Sequence, residues 1–258
     1  MSDADLNGAV VLVTGGSGGI GRTICRQFAQ RGARVWVHFN GNQAAAEETL
    51  AQLRPGTGQE HRTVGADLSD PEAVRVMVDQ VVAASGRLDV LVNNAGIYER
   101  HPPLTTDFDA WLAAWDRTVG VNLSGVAHTA YCAARYMSER GGGRIINISS
   151  RGAFRGEPDC PAYGASKAGV NALSQSLAAA LAPAGIYVYA VAPGFVETAM
   201  ARPYLTGEMA DAIRQQSPLG RVATTEDVAY WVLCLADPAA NFATGAIIDV
   251  NGASYLRT

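Results

Sequence analysis

The segment YGASK, residues 163–167, places a tyrosine and a lysine four positions apart. Lys167 is the single lysine of the chain, since every other basic residue among its 20 is arginine. On a helix this spacing puts both side chains on one face. A neighbouring ammonium favours the ionised form of a phenol and lowers its pKa, which makes the phenol a better base. The pair therefore has the composition of a proton donor and acceptor, although taken alone it fits an accidental pair on an exposed helix equally well.

A second chemical signal is the glycine-rich segment TGGSGGIG, residues 14–21, which follows an apolar run and opens a helical pattern. Glycines at such a turn let the backbone approach a pyrophosphate, and the helix N-terminus adds unpaired N–H groups. Gly16, Gly18 and Gly21 satisfy the spacing GxGxxG. No lysine followed by serine or threonine comes after it, so it is not a phosphate-transfer loop. In its strand-to-helix context the segment predicts a dinucleotide site, whereas alone it could be merely a tight turn.

Apolar runs and helical patterns alternate along the chain. Strands are predicted at 9–14, 34–39, 63–67, 88–96, 143–150, 186–194 and about 246–250. Helices are predicted at 19–31, 43–54, 70–85, 107–117, 123–140, 161–182 and about 225–236. This alternation predicts an α/β fold with a doubly wound, Rossmann-like parallel sheet of about seven strands and helices on both faces. We expect one domain over residues 1–258, in which the insertion 199–218 is either a pair of surface helices or a substrate lid.

Composition and charge exclude several classes of function. The chain is 48% hydrophobic and 17% charged, as in globular proteins, and its net charge of −4 argues against a nucleic-acid partner. Its four cysteines and four histidines have no metal-ligand spacing, so no metal site is expected. No apolar run reaches the roughly 18 residues of a membrane span, and the segment MSDADLNG has no signal-peptide pattern. These features predict a cytoplasmic protein with free thiols and no membrane partner.

The motifs together resemble those of the short-chain dehydrogenase/reductase family. They occur in that family's order and spacing, and they are Thr14, Gly15, Gly19, Ile20, Gly21, NNAG at 93–96, Asn122, Ser150, Tyr163, Lys167 and PGFVET at 193–198. The resemblance extends from Gly8 to about Tyr255. The segments at 218–229 and 243–256 are similar to the branch that contains 3-oxoacyl-(acyl carrier protein) reductases and related alcohol and sugar dehydrogenases.

The resemblance implies hydride transfer between a nicotinamide dinucleotide and a carbonyl or secondary alcohol, in the manner of a 3-oxoacyl reductase. The alternatives are a sugar or other alcohol dehydrogenase of the same family and a non-catalytic dinucleotide-binding sensor. A sugar-nucleotide epimerase shares the tyrosine and lysine, but such enzymes have a longer chain with a separate substrate domain. Side chains in 97–105, 151–160 and 199–216 are expected to line the substrate pocket, but they carry no pattern that names the substrate.

The same resemblance implies four catalytic residues. Tyr163 is the proton donor and acceptor, and Lys167 lowers its pKa and hydrogen-bonds the nicotinamide ribose. Ser150 positions the substrate oxygen, with its neighbour Ser149 ranked second, and Asn122 holds a water on a proton relay towards the lysine. Arginine is unsuited to position 167, because its planar fork is wider than the compact lysine ammonium.

The cofactor residues implied by the resemblance follow the carboxyl ends of the predicted strands. They are Gly15, Ser17, Gly18, Gly19, Ile20, Gly21, His38, Asn40, Asp67, Leu68, Asn94, Ala95, Gly96, Tyr163, Lys167, Pro193, Gly194, Val196 and Thr198. Asp67 would accept from the adenine amino group, and the Val196 backbone would meet the carboxamide. Asp67 is alternatively a helix cap for 70–85, although Asp70 already suits that position.

The sequence favours NADP(H) over NAD(H) as cofactor. A carboxylate at the end of the second strand would bind the 2′-hydroxyl of NAD and repel a 2′-phosphate, but Phe39 stands there. The basic residue usual for NADP is absent as well, since Gly18 occupies the loop position. His38, Asn40, Asn42 and Ser17 are the candidates for the phosphate, and His38 is alternatively a strand residue with no ligand, so NAD(H) stays possible.

Two kinds of protein partner are considered. An acyl carrier protein is acidic and needs a basic patch, yet Ala168–Val196 has no charged residue, so this partner is possible but weakly supported. The candidate basic residues are Arg140, Arg144, Arg151, Arg155 and Arg202. The apolar, small-residue helix 161–182 is expected to pack on a symmetry mate, which gives a homodimer or homotetramer, unless it is buried within one subunit.

Overall fold

The computed structural model describes residues 6–53, 60–207 and 209–257. The ends of the 1–258 domain span, residue 54 of the predicted helix 43–54 and residue 208 of the insertion 199–218 lie outside the described residues. The described strands are β1 Val10–Val13, β2 Arg34–Phe39, β3 Arg62–Gly65, β4 Val90–Asn93, β5 Gly143–Ile148, β6 Ile186–Pro193 and β7 Ile247–Val250. They form one parallel sheet in the order β3-β2-β1-β4-β5-β6-β7.

Helices alternate with these strands, as the sequence predicts. The described helices are α1 Gly19–Gln30, α2 Gln43–Gln52, α3 Pro71–Ser85, α4 Phe108–Val119, α5 Gly125–Glu139, α6 Gly152–Arg155, α7 Pro161–Leu181, α8 Arg202–Leu205, α9 Ala210–Gln215 and α10 Thr225–Ala236. The doubly wound, single-domain α/β prediction is confirmed.

The sheet is buried on both faces, which explains why its central strands are continuous apolar runs. In β1, Val11 and Val13 pack into one hydrophobic cluster and Val10 and Leu12 into the other, on the opposite face. All four side chains are at most 2% exposed. Burial of a side chain of this size stabilises the folded state by roughly 1.5–3 kcal/mol. The strand that precedes the glycine loop is therefore held in the sheet by its packing on both faces.

Local signals set several helix ends. Asp70 caps α3 by accepting from the N–H groups of Glu72 and Ala73, and Gly86 ends it in the left-handed conformation with φ 74°. Thr224 and Asp227 form a reciprocal capping box at the start of α10. These two helices begin where the sequence predicts, because their caps are encoded next to them.

The structure corrects the prediction of two separate helices at 107–117 and 123–140. A π-helical turn, Gly120–Ser124, joins α4 directly to α5, so the two form one continuous helical segment. The wider turn contains Asn122, whose side chain is fully buried. Such π-turns are rare and are frequent at functional sites.

Candidate active site

A cleft of about 520 Å³ opens along the carboxyl edge of the sheet. Its lining residues directly follow β1, β2, β4, β5 and β6, so the crevice spans the point between β1 and β4 where the strand order reverses. Ligands of doubly wound folds bind at this place. All predicted catalytic and cofactor residues line the cleft, apart from Gly21, Asp67 and Asn122.

The glycine loop after β1 is held close to the loop after β4. Gly15 and Gly19 have φ angles of 62° and 50°, where only glycine is unstrained. The Asn94 side-chain amide donates to the carbonyls of Thr14 at 2.9 Å and Gly15 at 3.2 Å. A Cβ on Gly21 would lie 2.6 Å from Asn94 Nδ2, so Gly21 keeps this contact possible without lining the cleft itself.

The N-terminus of α1 faces the cleft without a capping side chain. Gly18 precedes the helix in extended conformation, makes no side-chain cap, and has no atom within 4 Å of the position of a Cβ. The first N–H groups of α1 and the helix dipole are therefore available to an anionic group. This cradle fits the pyrophosphate of a nicotinamide dinucleotide.

The sequence allowed His38 as a ligand of the cofactor 2′-phosphate, but its contacts in the fold give it a different role. Its Nδ1 accepts from the Gly15 N–H at 3.0 Å, and its Nε2 lies 3.0 Å from the Ala66 carbonyl, to which it donates. Burial lowers the pKa of the ring to about 4, so it is neutral near neutral pH. Both ring nitrogens are used within the fold, which corrects the expectation of a phosphate contact; His38 positions the glycine loop instead.

The segment after β3 contributes one residue to the cleft and one to a turn. Leu68 is buried and lines the cleft. The Asp67 carboxylate accepts from the Ser69 N–H at 2.9 Å and from the Ser69 hydroxyl at 2.7 Å, and these bonds hold its pKa below the usual value. Asp67 therefore closes a local turn, while Asp70 caps α3, and Asp67 is not among the residues that line the cleft.

Asn122 lies behind the loop that follows β4. Its Oδ1 accepts from the Ile97 N–H at 2.8 Å, and its Nδ2 donates to the Ile97 carbonyl at 2.9 Å. The position of a Cβ on Gly96 lies 3.3 Å from Asn122 Oδ1 and 3.5 Å from Lys167 Nζ. The amide thus fixes the backbone beside the lysine instead of lining the cleft.

Tyr163 and Ser150 meet at the end of β5, where both line the cleft. Burial raises the pKa of the Tyr163 phenol to about 12, and a hydrogen bond with the Ser150 hydroxyl opposes this rise. The pKa of Tyr163 is thus raised, which corrects the expectation that Lys167 lowers it. Desolvation of the phenol is the largest effect on this pKa. Ser150 Oγ also accepts from the Gly152 N–H at 3.0 Å, which fixes its hydroxyl next to Tyr163.

Lys167 is buried one helical turn further along α7, as the spacing predicts. Its Nζ donates to the Ile148 carbonyl at 2.8 Å and lies 5.8 Å from the centre of the Tyr163 ring. Burial lowers its pKa from 10.5 to about 8. Phenol and amine therefore share one desolvated part of the cleft, in which the pKa of each is shifted towards its uncharged form.

The other end of the cleft is built by the three segments expected to line the substrate pocket. Tyr98, Glu157 and Tyr204 come from 97–105, 151–160 and 199–216 respectively, and Phe195 adds a fourth side chain. The Tyr98 ring packs edge-on against Tyr163 with a centroid distance of 4.8 Å. Sequence reasoning identified the segments but none of these side chains; the aromatic residues among them were the available signal.

Two other kinds of feature, a metal site and a membrane span, are absent among the described residues. No group of three or more histidines, cysteines, aspartates and glutamates there could hold a metal ion. Among the same residues, no helix is both long and apolar enough to cross a membrane.

Comparisons with known proteins agree with this geometry. A family model described as enoyl-(acyl carrier protein) reductase matches residues 15–253. A cis-4-hydroxycyclohexanecarboxylate dehydrogenase from Sinomonas cyclohexanicum is 39% identical over 94% of this chain and 95% of its own length. A 3-oxoacyl-[acyl-carrier-protein] reductase from Staphylococcus aureus is 38% identical over 95% and 97%. An L-rhamnose 1-dehydrogenase (NAD(P)(+)) from Azotobacter vinelandii is 38% identical over 96% of each chain.

Solved structures show the same relationship. A short-chain type dehydrogenase/reductase from Mycobacterium ulcerans has a TM-score of 0.89 at 31% identity and covers 96% of this chain and 90% of its own. A short chain dehydrogenase from Burkholderia cenocepacia, solved in complex with NADP, has a TM-score of 0.87 at 34% identity and covers 97% and 99%. With the family model and the curated relatives, these matches show that the chain belongs to the short-chain dehydrogenase/reductase family and is an NAD(P)-dependent oxidoreductase that acts on CH–OH groups.

Proposed function

We propose that this chain interconverts a small secondary alcohol and its ketone, with Tyr163 as the proton donor and acceptor. One observation carries the proposal: Tyr163, Lys167 and Ser150 line the same cleft as the glycine loop after β1. When bound there, a nicotinamide dinucleotide supplies the hydride acceptor or donor.

The roles of the reacting side chains follow from their contacts. The Ser150 hydroxyl, fixed by Gly152 and beside Tyr163, is suited to hold the substrate oxygen next to the phenol. In the reducing direction Tyr163 gives its proton to that oxygen, and in the oxidising direction it accepts the proton. Lys167 is a positioning residue that would hydrogen-bond the nicotinamide ribose beside Tyr163, and Asn122 keeps Ile97 and Gly96 in place around it.

The remaining site residues would hold the cofactor. The backbone of the glycine loop binds the pyrophosphate at α1, and Leu68 with Asn94, Ala95 and Gly96 covers the adenosine side. Pro193, Gly194, Val196 and Thr198 lie after β6, beside the reacting residues, and would bind the nicotinamide side. Asp67 retains one carboxylate oxygen outside its turn for the adenine amino group.

NADP(H) is the favoured cofactor. Glu157 is the one carboxylate among the described residues that line the cleft, and it lies at the substrate end, so nothing there repels a 2′-phosphate after β2. Asn40 and Ser17 line the cleft and would donate to the phosphate, whereas the Phe39 ring packs against Gly65. The Burkholderia structure contains NADP, and the Azotobacter relative is named for both cofactors, so NAD(H) remains an alternative.

A small substrate is favoured over an acyl chain on a carrier protein, although one relative is named for such a substrate. Of the candidate arginines, Arg151 is 4% exposed, and the side chain of Arg155 is 34% exposed and lies 3.7 Å from Glu157. Arg144 donates to Asn241. The other two candidates, Arg140 and Arg202, are exposed, and with them the basic surface near the site is small for an acidic carrier protein.

The insertion 199–218 is proposed to be the substrate lid. Its described part contains the short helices α8 and α9, and Ala199, Met200, Ala201 and Tyr204 line the cleft. Met200 is nevertheless 52% exposed, as expected of a segment that could close further. Protection of this segment from proteolysis when NADPH is added supports the proposal, and unchanged cleavage opposes it.

We also propose a homodimer or homotetramer in the cytoplasm. One face of α7 exposes uncharged small residues, among them Ala165, Ala168, Ala172 and Ala179, so the helix is not buried on all sides within its own subunit. The four cysteines are free, as in a reducing compartment.

Turnover of a panel of ketones and alcohols, followed by nicotinamide absorbance, tests the proposed function. We expect at least one small alcohol and ketone pair to react, with a higher kcat/KM in assays with NADP(H) than in parallel assays with NAD(H). An acetoacetyl thioester in the same panel represents the acyl substrates and should react less well. Cofactor binding without turnover of any member would instead indicate a non-catalytic dinucleotide sensor.

A further inference from the structure

A carboxylate stands inside the substrate end of the cleft, where the proton-transfer chemistry gives it no task. Glu157 lines the cleft together with Tyr163, and its side chain is 14% exposed. Its negative charge is among the causes that raise the pKa of Tyr163, and it raises those of Tyr98 and Tyr204 as well. The charge therefore works against formation of a phenolate, so it needs another explanation.

The fold makes room for this carboxylate. A Cβ on Gly152 would lie 2.5 Å from Glu157 Oε1, and one on Gly164 would lie 3.4 Å from the Glu157 backbone nitrogen. Gly156, the preceding residue, has a φ of 77°, a left-handed conformation that glycine adopts without strain. Gly152 thus leaves the space that the Glu157 carboxylate occupies, and a Cβ on Gly164 would be at an ordinary contact distance from the Glu157 backbone.

Among the described residues, the protein leaves most of the hydrogen-bonding capacity of Glu157 unused. Tyr98 donates to its Oε2 over a long distance of 3.4 Å, and Arg155 Nε lies 3.7 Å from its Oε1, beyond hydrogen-bond range. An ionised carboxylate offers about four acceptor positions. A partly buried carboxylate with weak partners has room for donors from a ligand.

We propose that Glu157 is a specificity-determining residue that accepts a hydrogen bond from a second hydroxyl of the substrate, which makes the preferred substrates polyhydroxylated. Tyr98 packs on Tyr163 and reaches Glu157 with its hydroxyl, so the carboxylate lies one aromatic side chain away from the reacting phenol. A substrate whose reacting carbon is held at Tyr163 can therefore present a neighbouring hydroxyl to Glu157. This inference rests on the proposed function and names its substrate class.

The test compares kcat/KM for cyclohexanol and cis-1,2-cyclohexanediol, which differ by one hydroxyl. A hydrogen bond to a charged group predicts that the wild-type enzyme prefers the diol by roughly ten- to a hundredfold. Glu157→Gln, which keeps the shape of the side chain but removes its charge, should lose most of this preference, so that the ratio of the kcat/KM values for the two alcohols falls towards one. Glu157→Asp keeps the charge on a shorter side chain and should retain part of the preference.

Glu72→Gln is the matched control, because Glu72 is an exposed carboxylate on α3 that pairs with Arg75 outside the cleft. It should leave both substrates unaffected. Equal use of the two alcohols by the wild-type enzyme, or an equal loss for both in Glu157→Gln, would overturn the inference while leaving the proposed function intact. Failure of the wild-type enzyme to turn over either alcohol, or any other member of the panel, would overturn the proposed function and this inference with it.

Discussion

At the scale of single residues, the lone lysine is understood through its burial. The sequence places Lys167 one helical turn from Tyr163, and the structure confirms the helix and brings both residues to one cleft. What the spacing could not show is desolvation, a property of the packed surroundings, which raises the pKa of the phenol and lowers that of the amine. For this reason the pKa of Tyr163 is raised, and not lowered as the spacing predicted.

The pKa of Lys167 predicts a dependence of stability on pH. Because burial lowers it from 10.5 to about 8, the folded chain releases this proton at a lower pH than the unfolded chain. The free energy of unfolding due to this group therefore rises as pH increases through that window, and below it the buried ammonium costs about 3 kcal/mol. Lys167→Met removes this contribution.

Denaturant unfolding of both proteins at about pH 7 and about pH 10 measures the effect. We expect the stability of the wild-type protein relative to Lys167→Met to increase by about 2–3 kcal/mol over this interval. Loss of the hydrogen bond to the Ile148 carbonyl lowers the stability of the variant equally at both pH values. It therefore leaves the change in relative stability between the two pH values unaffected. A stability difference that does not vary with pH would show that Lys167 titrates normally in the folded chain.

At the scale of elements, the glycine loop shows which parts of the site could be predicted from the sequence. The sequence predicted the strand, the turn and the helix of this segment, since apolar runs and glycines encode them locally. It could not predict that His38 supports Gly15 or that a π-turn presents Asn122, because these depend on contacts between segments distant in sequence.

Two alanine substitutions distinguish the tightly packed glycine of this loop, Gly21, from the open one, Gly18. Gly21→Ala places a methyl group against the Gly15 carbonyl and 2.6 Å from Asn94 Nδ2, so we expect a loss of about 2 kcal/mol in stability and weaker cofactor binding. Gly18→Ala meets no atom within 4 Å and should change stability by about 0.5 kcal/mol or less. Thermal unfolding of the cofactor-free proteins measures both, and equal effects would contradict the role of Gly21 in joining the two loops.

At the scale of the whole molecule, alternation of strands and helices was enough to predict the sheet. A continuous apolar run such as β1 is stable only when both faces are covered, and the two hydrophobic clusters provide this cover. The side chains of the substrate end were beyond prediction, because Glu157, Tyr98 and Tyr204 come from three irregular segments whose proximity is set by the complete fold.

The exposed face of α7 leads to a prediction about assembly. Its uncharged small side chains allow close helix packing, so light scattering of the purified chain should give a mass two or four times that of the chain. A monomeric mass at micromolar concentration would show that this face is simply exposed to solvent.

The central claim is that the Tyr163 phenol transfers the proton, and Tyr163→Phe tests it most directly. Removal of one hydroxyl should lower turnover by roughly a hundred- to ten-thousandfold, while NADPH binding, measured by nicotinamide fluorescence, stays within about twofold. Tyr136→Phe is the matched control, since that hydroxyl bonds Asp79 and does not line the cleft, and it should retain turnover. Near-normal turnover by Tyr163→Phe would contradict the account.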